Sequence, residues 1–348
     1  MIGENNLYRK ATRPLVLFVI LAFAAGMSAL AADKLPPENA GTIGQPEGKI
    51  AFIRDKNIWY MNVDGSNQTL LCEVANADSR LTWTPDNKSV LFTRKGTYDL
   101  QGPDMMGGHH KVYDLFYAYL DSAANGNTMF WRRITDDLGS RDPDWSLGDN
   151  KILFTKDLSA KYASASLPDY KICKMNPDGS GLEILRKEWQ VVENPEDKKF
   201  LIFPTISTKG ELAFVYFENL QPYGLGVVPP GGANISLDSI KILADGGKKC
   251  VAPAWSPDGK WIAYVMNDIN ANALYITTPD RKENYLVFEP PVGTYIYTIA
   301  PSFSPDSKWI TFATTDGSVW IVDITGNGTK RLTPSGLDKS PAWSKAVK

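Results

Sequence analysis

Two histidines and three cysteines are all that this chain of 348 residues offers for imidazole and thiol chemistry. The histidines, His109 and His110, are adjacent. A serine or cysteine nucleophile elsewhere would have to recruit that one stretch for its base, and there is no G-x-S-x-G elbow to display such a nucleophile. The cysteines, Cys72, Cys173 and Cys250, form no C-x-x-C pair and no C-x-x-C-H haem-attachment site. An odd, widely spaced set is not the disulfide framework of a small exported domain. Separate buried thiols are the expectation, with one long-range bridge as the alternative. Positive charge is not in excess either: the formal net charge is −2, so the basic footprint of a nucleic-acid-binding protein is missing. Long apolar runs are absent too. Residues 15–25 form an unbroken run of 11, against the roughly 20 that a bilayer-spanning helix needs.

That short run has another meaning. Arg9, Lys10 and Arg13 precede it against a single acid, Glu4, and Ala29-Leu30-Ala31 follows it. A basic start, a short apolar segment and a small-x-small site describe a secretory leader, residues 1–31, cut after Ala31; an uncleaved anchor is the alternative. No cysteine follows the site, which disfavours a lipoprotein. Removing the leader leaves a mature chain near −4. Export to a periplasm or beyond the cell is expected, with no stable membrane insertion after cleavage. Residues 32–47, ADKLPPENAGTIGQPE, are rich in proline, glycine and polar groups and read as a flexible lead-in.

From residue 48 the chain is repetitive. PAWSPDGKWIAYVM, residues 253–266, has close copies in LTWTPDNKSVLFT from Leu81, PDWSLGDNKILFT from Pro143, FPTISTKGELAFV from Phe203, PSFSPDSKWITFA from Pro301 and PAWSKAVK from Pro341. Each full copy reads as a hairpin: a short strand, a Pro/Asp/Asn/Gly turn that tolerates positive φ, then an alternating strand with a buried face. The aromatic position falls at Trp83, Trp145, Ile206, Trp255, Phe303 and Trp343, at intervals of 62, 61, 49, 48 and 40 residues. A second hairpin keeps step with the first: NIWYMNVDGSNQTLL from Asn57, YKICKMNPDGSGLEIL from Tyr170, ALYITTPDRKENYLVF from Ala273 and SVWIVDITGNGTKRLT from Ser318. Two hairpins per repeat make a four-stranded blade, and repeats of this length belong to propellers. The first strand pair lacks the PxWS strand ahead of it, while the chain ends on one, PAWS. The C-terminal strand is therefore expected to become the innermost strand of the N-terminal blade, closing the ring and hiding both edges. The expected fold is all-β: a six-bladed propeller of four-stranded antiparallel blades over residues 48–348. Trp83, Trp145, Trp255 and Trp343 then fill the space between blades rather than contact a ligand.

The alternation of an IYxMNxDGS…RLT hairpin with a PxWSPDGKxIAF hairpin resembles the TolB-type propeller repeat, over about residues 48–344. The resemblance implies the fold; function does not follow, because the same blades carry unrelated roles. TolB proteins have a mixed α/β domain ahead of the propeller, and related prolyl peptidases have an α/β-hydrolase domain as well. The 16 lead-in residues do not hold the first, and nothing after the last repeat supplies the second. A propeller alone is expected, with no grounds for a role in the Tol machinery. Some propellers with this repeat resemble oligogalacturonate lyase, whose metal site draws histidines from several blades, which two adjacent histidines do not reproduce. The turn Ser256-Pro257-Asp258-Gly259-Lys260-Trp261 does not match the sialidase Asp box and reads as a turn former.

With the strands of a blade labelled A to D outward, the A–B turns are tight. The B–C and D–A connections share the opposite face and include residues 95–111, 158–168, 188–199 and 290–299. Long loops gathered on one face of a rigid scaffold usually carry binding residues. The most distinctive is residues 97–114, TYDLQGPDMMGGHHKVYD, with Tyr98, Asp104, Met105, Met106, His109, His110 and Tyr113; Tyr295 and Tyr297 of PPVGTYIYTIAPSF join the same face. Imidazole, thioether and carboxylate are all metal-ligand types. With no further ligands in view, neither a metal nor another cofactor is expected, and the pattern suits a recognition surface of methionine and tyrosine contacts. The functional expectation is an exported, non-catalytic scaffold that binds an envelope protein or peptide at this face and the channel mouth, as a monomer within a larger complex. The alternative is an enzyme or sensor acting on a carbohydrate or small ligand at the channel mouth. For that reading no carboxylate pair stands out among 39 acids.

Overall fold

The computed structural model describes residues 34–99, 109–120, 131–160, 169–185, 199–218, 221–230, 241–243, 249–268 and 271–345. The expected leader lies outside them. Among the described residues no helix is long and apolar enough to cross a membrane. After one helical turn, α1 (Pro37–Ala40), the chain builds blades in order. Blade 1 takes β1 (Lys49–Arg54), β2 (Asn57–Asn62) and β3 (Thr69–Cys72). Blade 2 holds β4 (Ala77–Trp83), β5 (Ser89–Asp99), β6 (His109–Tyr119) and β7 (Trp131–Arg133). Blade 3 holds β8 (Ser140–Ser146), β9 (Lys151–Asp157), β10 (Tyr170–Met175) and β11 (Glu183–Leu185). Blade 4 holds β12 (Lys199–Ile206), β13 (Leu212–Glu218), β14 (Gln221–Val228) and β15 (Lys241–Leu243). Blade 5 holds β16 (Lys249–Trp255), β17 (Ile262–Asp268), β18 (Ala271–Thr277) and β19 (Asn284–Phe288). Blade 6 holds β20 (Ser302–Phe303), β21 (Trp309–Thr314), β22 (Ser318–Asp323) and β23 (Thr329–Arg331). The last strand, β24 (Asp338–Trp343), pairs antiparallel with β1, so the sheet of blade 1 runs β24-β1-β2-β3. The first strands of the six sheets, β4, β8, β12, β16, β20 and β24, contact one another in a closed cycle. The architecture is a six-bladed β-propeller.

Strand alternation explains why the blades stack. In β1, Ile50 and Phe52 pack with Trp309, Val319 and Ile321 of blade 6, whereas Ala51 and Ile53 pack with Trp83, Val90 and Phe92 of blade 2. Successive side chains point to opposite faces of a sheet, and here both faces meet a neighbouring blade. The same division gives six apolar clusters, one between each pair of adjacent blades. Strands buried on both faces read as continuous apolar runs, and β21 is buried at every position. The repeated aromatics occupy these clusters: Trp83 and Trp343 are 1% exposed, Trp145 and Trp255 below a tenth.

The A–B turns follow from their residues. Asn87, Asn150, Gly210, Gly259 and Ser307 hold equivalent tip positions, and all have φ between 52° and 86°. In one such turn Ser256 Oγ donates to Asp258 Oδ1 at 2.5 Å and accepts the Trp261 N–H at 2.9 Å, while Asp258 Oδ1 also accepts the Lys260 N–H at 3.0 Å. Thr84 with Asp86 and Ser304 with Asp306 repeat the arrangement. These carboxylates build turns.

The lead-in differs from its expected character. Leu35 and Ala40 are buried in the cluster between blades 5 and 6, with Ile43 against it. Trp309 Nε1–H donates to the Gly44 carbonyl at 3.1 Å and Trp343 Nε1–H to that of Glu47 at 2.7 Å. Composition pointed to a tether; the few aliphatic residues among the prolines and glycines instead fasten residues 34–47 along blades 5, 6 and 1. The three thiols lie in three different clusters, Cys72 between blades 1 and 2, Cys173 between blades 2 and 3, and Cys250 between blades 4 and 5. Burial pushes the Cys72 thiol up to about 11, helped by Glu73, and Cys173 up to about 12.

Two measurements follow from this packing. Trp343→Ala should lower unfolding free energy in urea by about 3–5 kcal/mol, the usual result of truncating a buried tryptophan; a loss below about 1 kcal/mol would mean that β24 contributes little to the ring. Because the folded-state pKa values of the Cys72 and Cys173 thiols are raised, their neutral form prevails at about pH 8. A disulfide reagent should therefore leave the native protein unlabelled and modify the thiols only in denaturant; rapid native-state labelling would contradict the burial.

Candidate functional site

The inner strands wall the central channel, and most carry a bulge that shapes it. In β8, β12, β16 and β24 the pairing with the next strand skips one extra residue. Beside each skip stands a residue of positive φ: Asp142 at 54°, Phe203 at 53°, Ala252 at 58° and Ser340 at 55°. A proline follows every one, namely Pro143, Pro204, Pro253 and Pro341, and proline has no N–H for the bulge to strand. β4 departs from this pattern. Its Asp78 and Leu81 pair with consecutive residues, Thr93 and Phe92, so two residues are extruded instead of one. They are Ser79, with φ of 62°, and Arg80.

Arg80 is 5% exposed. Its Nη1 donates to the Pro204 carbonyl at 2.8 Å, its Nη2 donates to the Pro253 carbonyl, and Asp144 Oδ2 lies 3.8 Å from Nη1. A guanidinium rooted in blade 2 thus reaches the bulges of blades 4 and 5, satisfying buried carbonyls that lie outside the ladder. Burial lowers its pKa while Asp144 and Asp142 oppose the change, and an arginine stays charged under either influence. Arg80 lies between two regions of different chemistry.

Toward the A–B turns there is a cavity of about 800 Å³. Its lining includes Arg80, Thr82, Asp144, Trp255, Phe303 and Lys345, with Pro85, Pro257 and Pro305 at the turns. Asp144 Oδ2 accepts the Thr205 hydroxyl at 2.6 Å, and its Oδ1 accepts the Trp145 N–H at 2.8 Å. Burial raises the Asp86 carboxyl, but hydrogen bonds from Thr84 Oγ1 and the Lys88 N–H prevail and hold it below the usual carboxylate value. A general acid for glycoside cleavage needs the opposite shift. Among the described residues no group of three or more His, Cys, Asp or Glu is arranged to hold a metal ion.

Toward the B–C and D–A connections the strand starts gather a cationic and aromatic cluster. Arg141 lies 4.9 Å from the Tyr113 ring centroid and 6.0 Å from that of Phe203, and its Nε donates to Asp142 Oδ2 at 2.9 Å. Ser79 Oγ donates to the other carboxylate oxygen of Asp142, and Lys339 Nζ donates to Asp78 Oδ1 at 3.0 Å. Asp142 beside it pushes the Arg141 guanidinium above its ordinary value. Burial raises the phenols of Tyr113 and Tyr170, with Arg141 opposing.

Of the residues singled out from sequence, Tyr113 joins this cluster. Tyr295, 53% exposed, and Tyr297 lie in the D–A connection before β20. There the Thr315 N–H donates to the Tyr295 carbonyl at 2.7 Å, and the Tyr297 N–H to the Ala313 carbonyl at 2.9 Å. Tyr98, His109 and His110 stand in the β5–β6 ladder, Tyr98 opposite His110 and Asp99 opposite His109. Asp104, Met105 and Met106 lie outside the described residues. The loop expected over residues 97–114 is thus shorter, since β-formers such as Thr97, Tyr98, Val112 and Tyr113 carry both strands onward. Asp114 at its end is buried and accepts from Arg133 Nη2 at 2.7 Å and Thr135 Oγ1 at 3.0 Å, which makes it structural. Arg80, Asp144, Arg141 and Lys345 were missed. The available signal was in LTW: other copies place proline two residues before the aromatic position, and this one has Leu81.

No family model and no curated protein sequence matches the chain. In three dimensions it is similar to TolB from Acinetobacter baumannii, with a TM-score of 0.64 and 18% identity over 87% of this chain and 68% of that one. Putative TolB from Agrobacterium tumefaciens gives 0.53 and 13%, over 83% of this chain and 90% of the other. A chain of the nidogen/laminin complex gives 0.57 and 12%, over 86% and 99%. At these identities the likeness carries the fold, a TolB-like six-bladed β-propeller.

Arg80→Met should cost about 2–4 kcal/mol in urea unfolding, because two buried carbonyls lose their donor at roughly 1–3 kcal/mol each. A change below about 1 kcal/mol would show that the guanidinium does not tie the three blades together.

Proposed function

We propose that this TolB-like propeller is an exported, non-catalytic scaffold that docks a protein or peptide of the cell envelope on its B–C/D–A face, around the channel mouth. The observation that supports it most is the cluster of Arg141, Tyr113, Phe203 and Tyr170 at that mouth. Arginine and tyrosine dominate the energetics of protein interfaces, where rigid aromatic area and a planar cation act together. Tyr295 adds exposed aromatic surface on the same face, and Tyr98, Asp104, Met105, Met106, His109, His110 and Tyr297 belong to the same proposed surface. The similarity to TolB, and to a chain of the nidogen/laminin complex, supports protein partnering in general. Export rests on the leader expected in residues 1–31, and a periplasmic location on that leader together with the TolB likeness.

The test uses immobilised full-length protein to capture a partner from an envelope fraction, followed by affinity measurement with the purified partner. Replacing residues 100–108 by Gly/Ser together with Tyr295→Ser should weaken binding by about tenfold or more, at an unchanged melting temperature. Leu147→Ser, on the A–B side, should leave it intact. Binding that survives the first change and is lost with the second would move the interface to the other face.

A further inference from the structure

The A–B cavity takes no part in docking on the opposite face. We propose that it is a second ligand site, for a small organic carboxylate with an apolar body. Its volume of about 800 Å³ falls within the roughly 300–1,000 Å³ of small-molecule pockets. Prolines at the turns, with Trp255 and Phe303, give apolar walls short of backbone N–H groups.

The polar groups in those walls are unbalanced. Both oxygens of Asp144 already accept hydrogen bonds, and Asp86 Oδ1 accepts two within its turn. Donors, by contrast, are left over. The Arg80 fork spends two N–H groups on carbonyls, which leaves others unused. Lys345 lines the same cavity, and among the described residues no carboxylate pairs with its ammonium. Thr82 and Trp255 line the cavity too, with Thr82 Oγ1 and Trp255 Nε1 buried beneath its surface and without a hydrogen-bond partner. At equivalent positions the Nε1 of Trp83, Trp145 and Trp343 all donate, to Ala342, Asn150 and Glu47. Burial lowers the Lys345 ammonium below the ordinary lysine value, with Arg80 acting in the same direction and Asp144 against it. An incoming anion relieves that repulsion. A cavity with apolar walls, in which Lys345 and the Arg80 fork keep unspent N–H donors, selects an acceptor with negative charge.

Calorimetric titration of the full-length protein with phenylbutyrate, phenylbutyramide and phenylbutylamine tests the assignment. Phenylbutyrate should bind, the amide about tenfold more weakly or less well still, and the amine not detectably. Lys345→Met should weaken phenylbutyrate by about fivefold or more without changing the melting temperature. Absence of phenylbutyrate binding at millimolar concentration, equal binding of the amide, preference for the amine, or indifference to Lys345→Met would each overturn the proposal. None of these outcomes bears on docking at the loop face.

Discussion

No blade of this propeller has a core of its own. Each sheet is apolar on both faces, and each apolar cluster is shared between two blades, so the sheets are stable only as a complete circle. An open ring would leave two such faces in water. The C-terminal strand removes that penalty from both sides at once: Trp343 fills the cluster between blades 6 and 1, and Ala342 belongs to the cluster between blades 1 and 2. Polar contacts fix its register. Arg54 grips the buried Asp338 through two hydrogen bonds of 2.7 Å, and Trp83 Nε1–H donates to the Ala342 carbonyl at 3.0 Å. Such groups add specificity to a contact whose free energy is mostly apolar burial.

Convergence of six inner strands creates a second constraint. Bulges turn the strands along the channel wall, and every bulge takes residues out of the ladder. Proline answers half of this requirement by lacking a donor, yet its carbonyl still needs a partner. Arg80 provides one for Pro204 and Pro253. The arginine is available because β4 extrudes one residue more than the other bulged inner strands.

The hairpins, their turns and the circular order were legible in the sequence because they are local or repeated. A tip that requires φ > 0 shows as glycine or asparagine, and Ser307, the exception, is still legible from its place in the repeat. The candidate site was less legible. Arg80 partners carbonyls 124 and 173 residues away, and no local pattern announces contacts of that range. Lys345 and Arg141 are likewise ordinary residues until the ring brings Asp144 and Tyr113 beside them. The lead-in was obscured for a related reason: Leu35 is one aliphatic side chain in a polar stretch, and its burial depends on a cleft formed by blades 5 and 6.

The two sides of Arg80 also differ in how far their polar groups are satisfied, and that difference separates the kinds of ligand they suit. On the loop side Arg141 is matched by Asp142 and Lys339 by Asp78. What such a mouth presents to a visitor is aromatic and cationic area with little unmet demand, which favours a broad contact where shape and desolvation decide affinity. On the A–B side the Arg80 fork and the Lys345 ammonium keep unspent donors, inside a concavity small enough to surround a ligand. There a single charge-assisted contact counts for more, because the walls exclude water. One additional residue in one bulge thus divides a pseudo-symmetric channel into two regions of unlike chemistry.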